Sequence, residues 1–447
     1  MKKIILSLAG VLAATAFAPE ASAVPVFARQ TGMACSGCHF QHFPLLNSTG
    51  QDFKANGFTK MGTKSKFKSE DLSIPDTVNM GVFTTTYFQT QGHEKITGVD
   101  QGTSVPKWGV PSTGGELSLF FGGRISEFAG FLAEAGLGGE GGATVDVTGT
   151  NDPLTNQVTA SGTAPGGGIV GAAKLVMLFP VGESRIGPVI YSSTGQGAAY
   201  SFELLNTGAA NTHKMMGNGG PSDQHVKAAY AAQYLGTNTA ATGISMVANN
   251  DKGFINVGAW EMAGNDLVGG ANNLDLTYVR LASTMPLIND WETGFGIQNF
   301  GGKSNVTMVS PRATIIDAQM QGQVQDMPLG IYVSYGTAKA STATEANPFN
   351  DNLDTAGGKA KTSFNVAAEL GIVPHVSTIQ VAVRMGKNGK ATDNVDNAVM
   401  LGVTYELAQN VALSLTHTSQ SGSAWNEVAG SVPAGKDANT LLLEALF

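Results

Sequence analysis

Stretches of about ten residues in which apolar and polar side chains alternate recur along the chain. Within residues 115–137, Leu117 and Leu119 fall on one side of a predicted strand, and Ser118 and Arg124 fall on the other. Period-two alternation of this length is typical of strands in a barrel that crosses a membrane. The pattern predicts an all-β, antiparallel barrel, and similar paired stretches occur at 174–191, 274–298, 364–385 and 398–417.

The two ends of the chain indicate export to the cell outer membrane. Lys2 and Lys3 precede an apolar run that ends at the A-x-A site Ala21-Ser22-Ala23, so residues 1–23 are predicted to be a signal peptide. The chain closes on NTLLLEALF, whose terminal Phe447 resembles the last strand of bacterial outer-membrane barrels. The alternative is a soluble all-β sandwich or solenoid, in which the same alternation would separate core from water.

Residues 76–447 form the predicted barrel domain. At about ten residues per strand, this length accommodates about 16 strands. Polar side chains at inward positions are expected to face the lumen, namely Glu116, Arg124, Glu134 and Arg280. Tight turns are predicted near 126–129, 180–184, 286–291, 374–376 and 407–410, and long loops near 138–168, 206–224, 338–361 and 418–438.

Both cysteines of the chain lie in the sequence CSGCH at residues 35–39. C-x-x-C-H is the attachment signature of c-type haem, in which Cys35 and Cys38 bind the porphyrin covalently and His39 is an axial ligand of the iron. A structural disulfide is a weaker explanation because so short a loop removes little unfolded-state entropy. A thioredoxin-like redox pair would need a surrounding βαβ pattern, which the flanking residues do not offer.

Residues 24–75 are predicted to form a small cytochrome domain with a lysine-rich linker from residue 60 onward. A segment of this length builds little core alone, and one haem outside the barrel could not reach both sides of the membrane. We therefore expect the segment to plug the lumen. Met61 and Met80 are the candidates for a second axial ligand. Apolar side chains available to surround the porphyrin are Phe27, Phe40, Phe43, Leu45, Leu46, Phe53 and Phe58.

Residues 24–58 resemble the N-terminal segment of the fused cytochrome–porin family, the outer-membrane monohaem cytochromes of iron-oxidising bacteria. Phe58 stands where members of that family commonly have tyrosine. The resemblance implies an iron oxidase that accepts electrons from extracellular Fe(II) and passes them to a soluble periplasmic cytochrome. The matching positions are Pro25, the run 27–32, Cys35, Cys38, His39, Pro44, Leu46, Gly50, Phe53 and Lys54.

Two other functions stay open from the residues alone. The barrel could carry electrons from a donor other than iron, such as a mineral, an electrode or another cytochrome. It could also be a diffusion porin in which the haem segment is a plug or a sensor. The sequence contains no carboxylate or histidine cluster with metal-site spacing, so iron as donor rests on the resemblance. The formal net charge of −8 argues against a nucleic-acid partner.

Overall fold

In the computed structural model, residues 26–62, 66–69, 73–76, 78–91, 95–96, 99–100, 107–111, 114–137, 150–151, 158–159, 170–208, 230–262, 273–285, 291–305, 308–426 and 436–447 are described. Sixteen long antiparallel strands of this described part close into one barrel, which confirms the predicted fold and strand number. They are β1 Met80–Gln91, β2 Leu117–Arg124, β3 Ala129–Gly136, β4 Val170–Met177, β5 Ser184–Ser193, β6 Ala241–Asn250, β7 Gly253–Glu261, β8 Leu276–Ser283, β9 Glu292–Gly302, β10 Ala313–Val324, β11 Met327–Ala338, β12 Lys361–Val373, β13 Ser377–Lys387, β14 Asn397–Ala408, β15 Val411–Ser421 and β16 Asp437–Leu446.

The barrel closes where its last strand pairs with its first. β16 runs antiparallel to β1, with Leu441 opposite Phe88 and Leu446 opposite Phe83. The backbone N–H of Phe447 donates to the carbonyl of Val82 at 3.0 Å. The C-terminal stretch is therefore the closing strand that its terminal aromatic residue indicates, and the alternative of a two-sheet sandwich is wrong.

Alternation along the strands separates two environments. In β6, Ile244 and Met246 point outward and are about half exposed, whereas Ser245 and Val247 point inward and are buried. Apolar side chains on the outside suit lipid, which cannot hydrogen-bond polar groups. The inward face carries the polar side chains expected there, since Arg124, Glu134 and Arg280 lie on it and Glu116 accepts a hydrogen bond from the inward Ser118.

The connections are short at one end of the barrel and longer at the other, as predicted. Two further hairpins, around 251–252 and 325–326, complete the barrel, and they are not among the turns predicted from the sequence. Most of the predicted loops 138–168 and 206–224 lies outside the described residues. Short connections occur at 125–128, 178–183, 251–252, 325–326, 374–376 and 409–410. Most of the predicted turn 286–291, between β8 and β9, lies outside the described residues.

Smaller elements accompany the barrel strands. The α-helices are α1 Val26–Thr31, α2 Ser48–Ala55 and α3 Ala231–Leu235, and 3-10 turns occur at Cys35–Gly37, Ala198–Tyr200, Asp354–Ala356 and Ser423–Trp425. Short strands are Lys66–Lys68, Ser73–Pro75, Lys95–Ile96, Val99–Asp100, Lys107–Pro111, Gly114–Gly115, Thr150–Asn151, Val158–Thr159 and Phe179–Val181. Among the residues described, no helix combines the length and the apolar character needed to span a membrane.

The connection between β5 and β6 enters the barrel instead of standing outside it. We call its described parts, residues 194–208 and 230–240, the inner loop. Every residue from Ala198 to Gly208 is buried, as are four of the five residues of α3. Side chains of the inner loop form one apolar cluster with inward residues of the strands, including Trp260, Tyr278 and Phe300.

Candidate haem-binding site

Residues 26–62, called here the N-terminal segment, lie inside the barrel. Phe27 packs on Phe53 and Phe58 with ring centroids 4.8 and 4.9 Å apart, and this aromatic group joins the buried wall residues Val176 and Leu178. The segment comes so close to the wall that a side chain at Gly130 would collide with the carbonyl oxygen of Gly57. This placement agrees with the predicted plug.

Arg124, the last residue of β2, fixes the same segment by polar contacts. Its backbone N–H donates to Gln30 Oε1 at 2.9 Å, and its Nη1 donates to the carbonyl of Thr59 at 2.9 Å. The Gln30 amide in turn donates to the carbonyls of Phe58 and Lys60, both at 2.7 Å. The predicted lumen arginine therefore binds the start and the end of the segment together.

Cys35, Cys38 and His39 are brought together by one tight turn. Cys35 begins a 3-10 turn, and its carbonyl accepts the backbone N–H groups of Cys38 and His39 at 3.0 and 2.9 Å. The two thiols are free and half-buried. Burial, with smaller contributions from Cys38 and Glu406, raises the pKa of the Cys35 thiol to about 11. Both sulfurs are therefore protonated thiols near neutral pH.

The imidazole of His39 is oriented by its own loop. Its Nδ1 donates to the carbonyl of Leu45 at 3.1 Å, since a carbonyl can only accept. Nδ1 therefore carries the proton, and Nε2 keeps a lone pair, as an iron ligand requires. Burial lowers the pKa of His39 to about 4, which keeps the ring neutral. The two thiols and this imidazole thus fit a covalently attached haem.

The apolar residues expected around a porphyrin divide into separate groups. The ring of Phe43 meets His39 edge-on at 5.4 Å and Phe83 of β1 at 5.8 Å. Phe40 and Leu45 pack with Tyr230 of the inner loop and Tyr332 of β11. By contrast, the cluster of Phe27, Phe53 and Phe58 packs on a different part of the wall, so it is core of the segment itself.

The second axial ligand has no clear candidate among the predicted methionines. Met80 is on the outward face of β1 and is 42% exposed, so its sulfur points away from the lumen. Met61 is half-buried at the end of the segment, where the next residue, Gly62, donates to the carbonyl of Gln30. No group of three or more histidine, cysteine or acidic residues is arranged to hold a metal ion in the described part of the chain.

Two features of the site were not identified from the sequence. Glu369 of β12 contacts the residues after His39, and Asn206 of the inner loop hydrogen-bonds both the N–H and the carbonyl of Leu46 at 2.8 and 2.9 Å. Glu369 has the same parity as Asn365 in a predicted strand, so its lumen position could have been inferred. Nothing in the residues around Asn206 indicates that its loop turns inward.

Comparisons with known proteins support the barrel fold. No family model matches the chain, and no curated protein matches it. Among solved structures, OprB of Pseudomonas putida has a TM-score of 0.51 at 10% identity, covering 83% of this chain and 94% of OprB. The outer membrane channel DcaP of Acinetobacter baumannii has a TM-score of 0.43 at 11% identity, covering 86% of this chain and 100% of DcaP. The likeness to OprB concerns the fold alone, and with the closed barrel it identifies the chain as an integral outer-membrane protein with a porin-like fold.

Proposed function

We propose that this protein is an outer-membrane c-type cytochrome that takes electrons from extracellular Fe(II) and passes them to a soluble periplasmic electron carrier. The observation that carries the proposal is a C-x-x-C-H turn inside a membrane barrel, with His39 Nε2 available to a metal. A haem bound there would supply one-electron transfer. Iron as the donor rests on the resemblance of residues 24–58 to the fused cytochrome–porin family.

The chain's own residues would hold and shield the group. Cys35 and Cys38 would attach it through thioethers, and His39 would ligate the iron. Phe43, packed against the His39 ring, and Leu45, which is 1% exposed, keep water from that side of the imidazole. A ligand in apolar surroundings changes its solvation little when the iron changes charge, which favours rapid electron transfer.

The position of the segment along the barrel supports contact with a periplasmic acceptor. Its wall contacts lie near the short connections, as with Arg124 beside the turn 125–128 and Gly130 just after it. In outer-membrane barrels the short turns face the periplasm and the long loops face outward. The haem would thus lie in the periplasmic half, within reach of a soluble carrier, while the inner loop fills the outer half.

The diffusion porin is the less favoured alternative, because the N-terminal segment and the inner loop both occupy the lumen. A conduit for another donor shares every structural feature with the proposed function. The Fe(II)-oxidising cytochrome and the conduit for another donor differ only in which reductant donates electrons to the protein.

The purified full-length protein, loaded with haem and inserted in liposomes, provides the test. External Fe(II) should convert its visible spectrum from the ferric to the ferrous form. Reduction by other donors but not by Fe(II) would support the alternative conduit. As a control, His39→Ala should keep the haem attached through Cys35 and Cys38 while its spectrum changes. An unchanged spectrum in that variant would contradict the role of His39.

A further inference from the structure

The loop formed by residues 39–45 is called here the haem loop. Two of its adjacent side chains bind a single residue of the barrel wall. The Gln41 amide donates to the backbone carbonyls of Glu369 and Pro328 at 3.2 and 3.3 Å. Next to it, His42 Nε2 lies 2.6 Å from Oε1 of the Glu369 carboxylate. Glu369 therefore binds the loop through both its backbone carbonyl and its side-chain carboxylate.

The Glu369 carboxylate is a buried acidic group of this wall. It is fully buried, and neither of its side-chain oxygens makes a hydrogen bond of regular geometry among the described residues, so its contact with His42 is an ion pair. Burying a carboxylate is costly unless an opposite charge compensates it. His42 supplies that compensation, so the contact favours a charged imidazole docked at this position on β12.

The docked loop holds a backbone conformation that is rare without such support. Gln41 has a φ of 65°, in the left-handed region that residues other than glycine seldom adopt. The Gln41 and His42 contacts to the wall hold the chain there. Within the loop, the Leu45 carbonyl accepts both the Phe40 N–H at 2.8 Å and the His39 Nδ1–H at 3.1 Å.

These contacts connect the wall to the imidazole of His39. We propose that Glu369 is a positioning residue for the axial ligand: through His42 and Gln41 it fixes the loop that places the Leu45 carbonyl against His39 Nδ1. The inference rests on the proposed function, because it concerns a haem ligand. An imidazole held by such a hydrogen bond is a better electron donor to the iron and favours the ferric state.

The test is Glu369→Gln in the full-length, haem-loaded protein. Covalent haem content should stay at the wild-type level, because Cys35 and Cys38 are untouched. The midpoint potential should shift upward, and the electron paramagnetic resonance signal of the ferric haem should broaden as the His39 ring loses its fixed orientation. His42→Gln should reproduce both effects, and the double variant should add little to either single variant.

Glu261→Gln is the matched control. Glu261 is a buried carboxylate at the end of β7 that accepts hydrogen bonds from Ser304 and from the N–H of Met262. This variant should leave the potential and the haem signal unchanged. Glu369→Asp, which keeps the charge, should restore part of the wild-type signal.

The outcomes separate this inference from the proposed function. A haem-bearing wild type whose signal and potential are unchanged in Glu369→Gln would overturn the positioning role alone. A wild type that binds no haem would overturn both. If Glu369→Gln fails to insert, His42→Gln decides the question with the wall intact: wild-type properties in that variant overturn the inference, and the altered signal supports it.

Discussion

At the scale of single residues, the C-x-x-C-H turn and the attachment of the following loop to the wall depend on different side chains. Cys35, Cys38 and His39 share one local turn, whereas Gln41 and His42 reach β12, more than three hundred positions along the chain. Haem attachment and docking of the loop should therefore fail separately when the corresponding residues are changed.

The double variant Cys35→Ala, Cys38→Ala should lose covalent haem and Fe(II)-dependent reduction while the barrel still inserts in the membrane. Both thiols lie outside every strand of the barrel, and neither is in a disulfide. Haem staining after denaturing electrophoresis measures attachment, and heat-modifiable migration on the same gel measures barrel folding. Full haem retention in the double variant would contradict the assignment.

Docking of the haem loop should weaken as pH rises. Burial is the largest single influence and lowers the pKa of His42, but the Glu369 carboxylate, the hydrogen bond to the Phe43 carbonyl and a smaller contribution from Glu406 together outweigh it, so the pKa is raised. A histidine whose pKa is higher in the folded state stabilises the fold while it is charged. The contribution is therefore complete below the ordinary pKa of 6.5 and is lost as pH rises through the raised value.

Protease cleavage of the N-terminal segment in intact liposomes, followed across that pH range, measures this loss. Wild type should become more susceptible as pH rises, and His42→Gln should show no such transition. Identical pH profiles for the two proteins would rule out the titration of His42 as the cause.

At the scale of elements, the inner loop is fixed to the barrel by a buried charge cluster. Arg280 of β8 pairs with Asp317 of β10 at 2.5 Å and with Glu203 of the inner loop at 2.9 Å. The hydroxyl of Thr207 donates to the same Asp317 at 2.5 Å. All three charged side chains are almost completely buried. Breaking such a cluster from one side leaves unpaired charge in the interior.

Arg280→Met should release the inner loop and cost about 3–5 kcal/mol of unfolding free energy, because Glu203 and Asp317 lose their common partner. Denaturant unfolding in detergent or lipid measures the stability, and protease cleavage within residues 194–240 reports the release. The matched control is Arg312→Met, which breaks the partly exposed pair with Glu345 and should cost about 0–1 kcal/mol. Equal effects of the two substitutions would contradict the role of the buried charge cluster in fixing the inner loop.

At the scale of the whole molecule, the lumen is filled from both ends. The N-terminal segment packs near the short connections, and the inner loop enters from the other end. They meet where Asn206 hydrogen-bonds Leu46 twice, at 2.8 and 2.9 Å. A barrel closed twice suits electron transfer better than solute flow, because electrons cross packed protein whereas solutes need an open path.

Deleting residues 24–75 should leave ion conductance low, since the inner loop would still fill its half of the lumen. Deleting the inner loop as well should open the barrel to porin-like conductance. Single-channel recording in planar bilayers compares the two deletions with the full chain. A wide-open channel after the first deletion alone would show that the N-terminal segment is the sole barrier.

The sequence by itself determined the features that are written in neighbouring residues. Alternation predicted the strands and their inward side chains such as Arg280, and the terminal Phe447 predicted the closing strand. Haem attachment at C-x-x-C-H stays a prediction. Each of these is a local pattern. The barrel geometry follows from repeating the alternation about sixteen times.

Only the tertiary structure decided what fills the lumen and what holds the haem loop. Glu369 and Asn206 contact the N-terminal segment from positions far along the chain, and these contacts exist only in the folded barrel. A polar residue on an inward face has the same sequence pattern whether it meets water, a loop or a cofactor segment. Alternation therefore reports which way a side chain points, and the closed barrel alone sets what that side chain meets.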